Sequence, residues 1–337
     1  MESRDMTYSR MRIAQTRARV SFVRYLARML CIALLPAAMA HGQEYPNKTT
    51  RIIVGFPPGG ITDVYARSLA NQLQAKLKSP VVVENRPGGG GLVAADAIIK
   101  SAPDGYTLTH IVPSTVTKVF VKDPPFDVFK SMQLIASVWI GPLVLTTNIQ
   151  IPASSLKEFV ELVKANPGKF NYGSTNGVNF MPMALFVSLA GLQMQPIEYK
   201  GAAQINSALL TNEIQAQFSA YQSVASVMGT GKLRPLAFTG NQRMAILPDV
   251  PTTSELGYPA MNLQTIGTIM APAGIPGPIA ARLQTAFREI VASPETEKLL
   301  RENGRPLNVS TDELMKLLRE EIAAWEVAAK VAGFRPQ

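Results

Sequence analysis

Apolar positions between residues 45 and 337 follow two periods in turn. Short β-branched runs at 51–55, 81–84 and 106–112 read as strands. Between them, 62–78 carries Val64, Leu69, Leu73 and Leu77 near helical spacing, and 92–100 is helical again. This order predicts a parallel sheet with helices on its faces. Two further strands are expected at 133–140 and 143–146, separated by Gly141-Pro142. A second alternation follows. Ser155 and Glu158 have the spacing of a capping box opening a helix to Ala165. Strands are then expected at 170–173, 195–198, 214–218 and 233–238, with helices at 181–190, 202–210 and 222–228. A strand at 263–270 precedes three closing helices, at 278–291, 294–302 and 312–332. Two α/β units in one chain predict two lobes, and the pattern alone assigns the closing helices to neither.

Residues 1–40 differ in kind. Seven arginines precede the apolar run from Met29 to Leu35, Pro36 breaks it, and Ala38-Met39-Ala40 supplies small residues around one free position. Such a segment reads as a secretory signal peptide cleaved after Ala40. A membrane span would need about 20 apolar residues, and Arg28 interrupts the run. The segment's seven Arg stand against Glu2 and Asp5, so removing its net +5 from the formal +9 leaves +4. The basic balance therefore belongs mostly to the targeting segment and gives no reason to expect nucleic acid. Cys31, the only cysteine, leaves with it, which suits an oxidising compartment such as the periplasm. His41 and His110 are the only histidines. Thiol catalysis, a histidine-based triad and a metal site thus have almost no material, and no cofactor motif is placed where it would work.

Three loops carry the candidate chemistry. Phe56-Pro57-Pro58-Gly59-Gly60-Ile61-Thr62-Asp63 lies between a strand and a helix, at the carboxyl end of the sheet, where open α/β folds place ligands. Its glycines let a ligand approach the backbone, and a helix capped at Thr62 would offer unpaired N–H groups to an anion. Asp63 itself reads best as a first-turn acid. The glycine run 88–91 formally fits a relaxed dinucleotide fingerprint, but Pro87 separates it from its strand and no ribose-binding acid follows. It reads as a structural or cleft-lining loop. Ser174-Thr175-Asn176-Gly177 is the corresponding strand-end loop of the second unit, and Lys200-Gly201 precedes the next helix.

At these loops the chain resembles the substrate-binding proteins of tripartite tricarboxylate transporters, often called the Bug family. The resemblance rests on Arg51-Ile52-Ile53-Val54, Phe56-Pro57-Pro58-Gly59-Gly60, Asp63, Ala66-Arg67, Glu84-Asn85-Arg86-Pro87-Gly88 and Ala102-Pro103-Asp104-Gly105-Tyr106. It continues through Asn171-Tyr172-Gly173-Ser174, Tyr199-Lys200-Gly201, Leu247-Pro248-Asp249-Val250-Pro251 and Ala271-Pro272-Ala273-Gly274. It implies an α/β, two-lobed periplasmic-binding-protein type II fold with hinge crossover strands. The first lobe would comprise 45–142 and 266–337, and the second 143–265. It also implies a monomeric periplasmic receptor, not an enzyme, that captures a small organic carboxylate for a two-component membrane permease. A ligand-sensing adaptor for a membrane sensor kinase is the alternative, and an exported enzyme a second one. Carried onto this chain, the ligand-binding residues are Phe56, Pro58, Gly59, Gly60, Ile61, Thr62, Asp63, Ser114, Thr115, Ser174, Thr175, Asn176, Gly177, Val178 and Ser219.

The departures from the family concern the second lobe. The loop after Ser174 is shorter and lacks a histidine, bringing in Val178, Phe180 and Met181. Ser219 stands where an acid is common, and Ile266-Gly267 where an aromatic pair is common. These changes predict a roomier, more apolar wall, suited to an aromatic or branched acid rather than to a zwitterion or citrate.

Overall fold

The computed structural model describes residues 45–59, 61–174, 179–199, 202–301 and 304–336. The segment Lys48–Gln337 forms one compact unit, separate from Met1–Asn47. Strands β1 (Thr50–Val54), β2 (Val81–Asn85) and β3 (Thr107–Ile111) pair in parallel in the order β2-β1-β3, with helices α1 (Ile61–Leu77) and α2 (Leu92–Ile99) connecting them. Ile52 and Ile53 are both buried, so β1 is covered on both faces, which is why it reads as an unbroken apolar run. Helix α1 buries Tyr65, Leu69, Leu73 and Leu77 at strict four-residue spacing, whereas Val64 is 42% exposed. Leu69, Leu73 and Leu77 are thus buried as expected, and only the first position differs, where aromatic Tyr65 takes the inward place expected of Val64.

After the short helix α3 (Val128–Ser131), β4 runs unbroken from Met132 to Asn148. Two strands were expected there, divided at Gly141-Pro142. Pro142 sits where pairing changes hands: Met132 to Pro142 pair with β9 (Gln264–Pro272), and Leu143 to Thr147 pair with β7 (Ala216–Ala220). The missing proline N–H costs least at such an exchange, so the strand continues through it. The second sheet is built on the far half of β4. In chain order come α4 (Leu156–Ala165), β5 (Phe170–Ser174), α5 (Phe180–Leu189), β6 (Met194–Glu198), α6 (Ala202–Leu210), β7, α7 (Tyr221–Met228) and β8 (Leu233–Phe238), which pairs with β4. The main strand order is β2-β1-β3-β9-β4-β7-β5-β6, with β8 off this path on β4. The Ser155 hydroxyl caps α4 by accepting the Glu158 N–H, and the Glu158 carboxylate reaches back to the Ser154 N–H. The expected capping box therefore closes one residue early.

Helices α8 (Gly277–Val291) and α9 (Pro294–Arg301), the two-residue strand β10 (Arg305–Pro306) and α10 (Thr311–Val331) end the chain. Two main apolar cores flank the β4–β9 crossing. The first joins Ile53, Ala94, Ile98, Met132 and Ile266, and the second joins Phe159, Tyr172, Phe186 and Phe218. Helix α10 enters both, with Leu314 and Leu318 in the first and Trp325 and Ala328 in the second. No helix among the described residues is long and apolar enough to cross a membrane.

Strand directions decide where the loops meet. β9 is antiparallel to β3 and to β4, so β4 runs in the sense of β1 and β3 as it passes from the first sheet to the second. β7 is antiparallel to β4, and β5 is parallel to β7. The carboxyl ends of β1 and β3 therefore point toward the second sheet, and those of β5 and β7 point back toward the first. Ile111, at the end of β3, is level with Thr268 and Ser137, while Ala220, at the end of β7, is level with Leu143. At about 3.3 Å per residue, the rise from Ser137 to Leu143 separates these ends by roughly 20 Å along β4.

Candidate functional site

The loop after β1 is shaped by a carboxylate. Helix α1 begins at Ile61, one residue earlier than expected, so Thr62 lies inside the first turn rather than capping it. Asp63 does the organising. Its Oδ2 accepts the Gly59 N–H (2.9 Å) and Arg67 Nε (3.0 Å), and its Oδ1 accepts Asn85 Nδ2 (2.9 Å). The same Asn85 amide donates to the Phe56 carbonyl (3.0 Å), stitching β2 to the loop. Burial by itself would raise the Asp63 carboxyl. Arg67, the Gly59 N–H and Asn85 outweigh it and hold the group below the ordinary carboxylate range. Asp63 thus shapes the loop from beneath, with its acceptor capacity largely used inside the chain. Helix geometry leaves the N–H groups of Ile61, Thr62 and Asp63 without intrahelical carbonyls, and these face the loop. Pro58 and Gly59 are exposed, Phe56 is partly so, and Gly59 takes φ +82° with open space around it. Gly60 lies outside the described residues.

Two more segments converge on this loop. A Cβ on Gly55 would lie 2.8 Å from Gly91 Cα, so the glycine run packs its backbone directly against the end of β1. Gly88 to Gly91 all have positive φ, and Gly90 and Gly91 border Thr115. The run is accordingly a packing device that carries the turn Pro113–Val116 to the rim. In that turn both candidate hydroxyls are engaged internally. Ser114 Oγ donates to Glu321 Oε1 (2.8 Å), and Thr115 Oγ1 donates to the Val112 carbonyl (2.9 Å). Ser114 is 1% exposed and Thr115 8%. Beneath α1, His110 Nδ1–H donates to the Thr62 carbonyl (2.9 Å), and burial pushes the imidazole down to about 4, so it is neutral.

In the second sheet, Ser174 ends β5, is 6% exposed, and its carbonyl accepts the Tyr199 N–H. Thr175, Asn176, Gly177 and Val178 lie outside the described residues, as do Lys200 and Gly201. Just after that loop, Asn179 Nδ2 donates to the Phe218 carbonyl (3.1 Å), tying its far end to β7. Ser219 is buried near the end of β7, level with Val144, and its Oγ has no hydrogen-bond partner among the described residues. Two residues back, Gln217 Nε2 donates to Asn206 Oδ1 (2.9 Å), and its own Oε1 is buried without a partner. The inward end of β7 is therefore polar.

Of the five positions from which an apolar wall was expected, Val178 lies outside the described residues and the other four pack within the chain. Met181 is fully buried in the second core, and Phe180 packs on Phe334 at 5.9 Å between centroids. Ile266 is 1% exposed in the first core. The space above Gly267 is filled: the Trp139 indole nitrogen lies 2.0 Å from where a Cβ would stand. An aromatic ring does occupy this place, but β4 supplies it instead of β9. Arg67, Asn85, Trp139 and Glu321 are organising residues that the candidate set missed. Arg67 and Asn85 stood in the matched motifs, and Glu321 interrupts an apolar stripe, which is a readable signal. Among the described residues no group of three or more His, Cys, Asp or Glu could hold a metal ion.

Comparison with known proteins shows the family to which the chain belongs. A family model described as the tripartite tricarboxylate transporter family receptor matches residues 65–333. Protein BugT of Bordetella pertussis is 33% identical over 303 residues, covering 88% of this chain and 93% of its own length. The solved structure of Rhodopseudomonas palustris Rpa4515 with adipate has a TM-score of 0.80 at 26% identity, covering 87% of this chain and 100% of that one. MatC from the same organism, with bound malate, has a TM-score of 0.72 at 25% identity, covering 84% and 99%.

Proposed function

The chain belongs to the tripartite tricarboxylate transporter receptors, and from that premise we propose that it captures a small dicarboxylate in the periplasm for a two-component membrane permease. The observation that carries the ligand class is the loop after β1. A helix start, an exposed glycine and an internally neutralised acid leave N–H groups for an incoming carboxylate. Such a terminus contributes roughly 0.3–1 kcal/mol from the helix dipole, and charge-assisted hydrogen bonds add to it. Asp63 does not oppose the anion, because Arg67 bonds to it at 2.9 Å. The opposite end of the site favours a second polar group. Among the described residues Ser219 and Gln217 each bury an oxygen without a partner, and Met181, Ile266 and Gly267 are taken up in the chain's own packing. The adipate and malate held by Rpa4515 and MatC are dicarboxylates, which supports the same reading.

In this reading the lobes are 45–142 with 266–337, and 143–265, with α10 shared between their cores. Gly59 to Asp63 bind the first carboxylate, Ser114 and Thr115 back that loop, and Ser174 to Val178 with Ser219 receive the other end. The receptor acts as a monomer, and residues 1–40 are removed at export. Native mass spectrometry of the exported protein tests both halves at once. The expected species begins at His41 and carries one small dicarboxylic acid. In thermal-shift titration at ligand near 100 times Kd, adipate or malate should add about 2.7 kcal/mol of stability. Silence toward both acids, with a strong response to aromatic or branched monoacids, would overturn the dicarboxylate assignment.

A further inference from the structure

Helix α10 presents Leu314, Leu318, Glu321, Trp325 and Ala328 as one buried stripe. The two leucines lie in the first core and the tryptophan and alanine in the second. Glu321 is therefore the residue at which the helix passes from one lobe to the other. There it accepts the Ser114 hydroxyl at 2.8 Å, which ties α10 to the Pro113–Val116 turn at the rim of the site. One helical turn later, Trp325 Nε1 donates to the Gln264 carbonyl (3.0 Å) on β9, a strand that links the lobes. We propose that Glu321 is a positioning residue that couples the ligand-site turn to the hinge, and that lobe closure on the ligand requires the proton on its carboxyl. The inference deepens the receptor function and rests on it.

Among the described residues, the elements packed against Glu321 offer it no opposite charge. The turn Pro113–Val116, β4, β9 and α5, which pack against α10, include no titratable residue. On α10 itself Asp312, Glu313, Lys316, Arg319, Glu320, Glu326 and Lys330 are all exposed, and Lys118, beyond the turn, is exposed too. Burial pushes the Glu321 carboxyl up to about 8, with Ser114, Trp325 and the Ile266 backbone pulling weakly the other way. The group is thus neutral at pH 7. Its Oε2 is buried without a hydrogen bond of ordinary geometry among the described residues. Ionisation would leave an unpaired charge at the lobe junction, and the least costly relief is water entering as the turn, α10 and β9 separate. That movement opens the site.

The test follows affinity and shape against pH in the full exported chain. With adipate and malate as probes, Kd from calorimetry should be level from pH 6 to 7 and rise up to tenfold per pH unit above pH 8. Glu321→Gln keeps a group able to accept the Ser114 hydroxyl but cannot ionise, and its Kd should stay level to pH 9. Glu321→Met removes the bond as well, and should bind weakly at every pH with no slope. A wild-type Kd that stays level to pH 9, or a slope that survives in Glu321→Gln, overturns the proposal. If neither acid binds, the dicarboxylate assignment fails by itself, and X-ray scattering of the ligand-free protein still judges the hinge. The radius of gyration should grow above pH 8 in the wild type and not in Glu321→Gln; equal curves overturn the inference.

Discussion

Asp63 shows how one side chain can serve a binding loop without facing the ligand. Its two oxygens accept Gly59, Arg67 and Asn85, and its side chain is only 4% exposed. Replacing it with asparagine removes the charge and turns one acceptor into a donor facing one of these donors. Losing a hydrogen bond to a charged group costs about 1.5–3 kcal/mol. For a chain of this size that is roughly 2–10 °C in Tm. Asp63→Asn should lose ligand response together with this stability, since the Gly59 turn slackens. A variant that keeps both would show that the loop holds its shape without the carboxylate. The folded-state value is lowered, so this stabilisation is present above the unfolded value near 3.8 and is lost only as pH falls through the lower folded one. Asp63 therefore adds no slope near neutrality.

At the scale of elements, the β4–β9 crossing depends on a size exchange. Gly267 makes room for the Trp139 indole, and the two residues are paired across the strands. Gly267→Ala should displace the ring and cost about 1–3 kcal/mol through overpacking, with a change in near-ultraviolet dichroism. Gly277→Ala, where a Cβ meets nothing within 4 Å, should leave Tm nearly unchanged. Equal melting of the two variants would mean that the crossing accommodates a larger residue. This exchange also marks where the sequence ceases to be legible. The periodic strands and helices could be read, and so could the loop after β1, because local spacing encodes them. That Ile266-Gly267 leaves no vacancy could not be read, since its filler stands on another strand more than a hundred residues earlier. Met181 shows the same limit: local pattern marks it as apolar but not that the second core receives it. Gly141-Pro142 suggested a break because the exchange of partners that tolerates a proline there is a tertiary fact.

At the scale of the whole molecule, His110 and Glu321, buried groups of opposite kind, shape the dependence of stability on pH near neutrality. His110 is neutral when folded, its value pushed down to about 4 from an ordinary 6.5 by burial. Between those values the unfolded chain binds a proton that the folded chain does not, so stability rises with pH by about 1.4 kcal/mol per unit. Glu321 is raised to about 8 from an ordinary 4.5. Between those values the folded chain keeps a proton that the unfolded chain releases, so stability falls with pH by about the same 1.4 kcal/mol per unit. From pH 4.5 to 6.5 the two slopes oppose and nearly cancel. From 6.5 to 8 only Glu321 acts, and about 2 kcal/mol should be lost. Asp63, Asp104, Glu158 and Glu255 are all lowered, so their contributions vanish only in acid below this window. Urea unfolding of the ligand-free chain should therefore give a plateau from pH 4.5 to 6.5 and a decline to pH 8. Glu321→Gln should abolish the decline and expose the rise due to His110 below 6.5. His110→Gln, which keeps a donor for the Thr62 carbonyl, should instead convert the plateau into a continuous fall from pH 4.5. A wild-type curve flat from 6.5 to 8 would place Glu321 in contact with solvent and remove the basis for its role at the hinge.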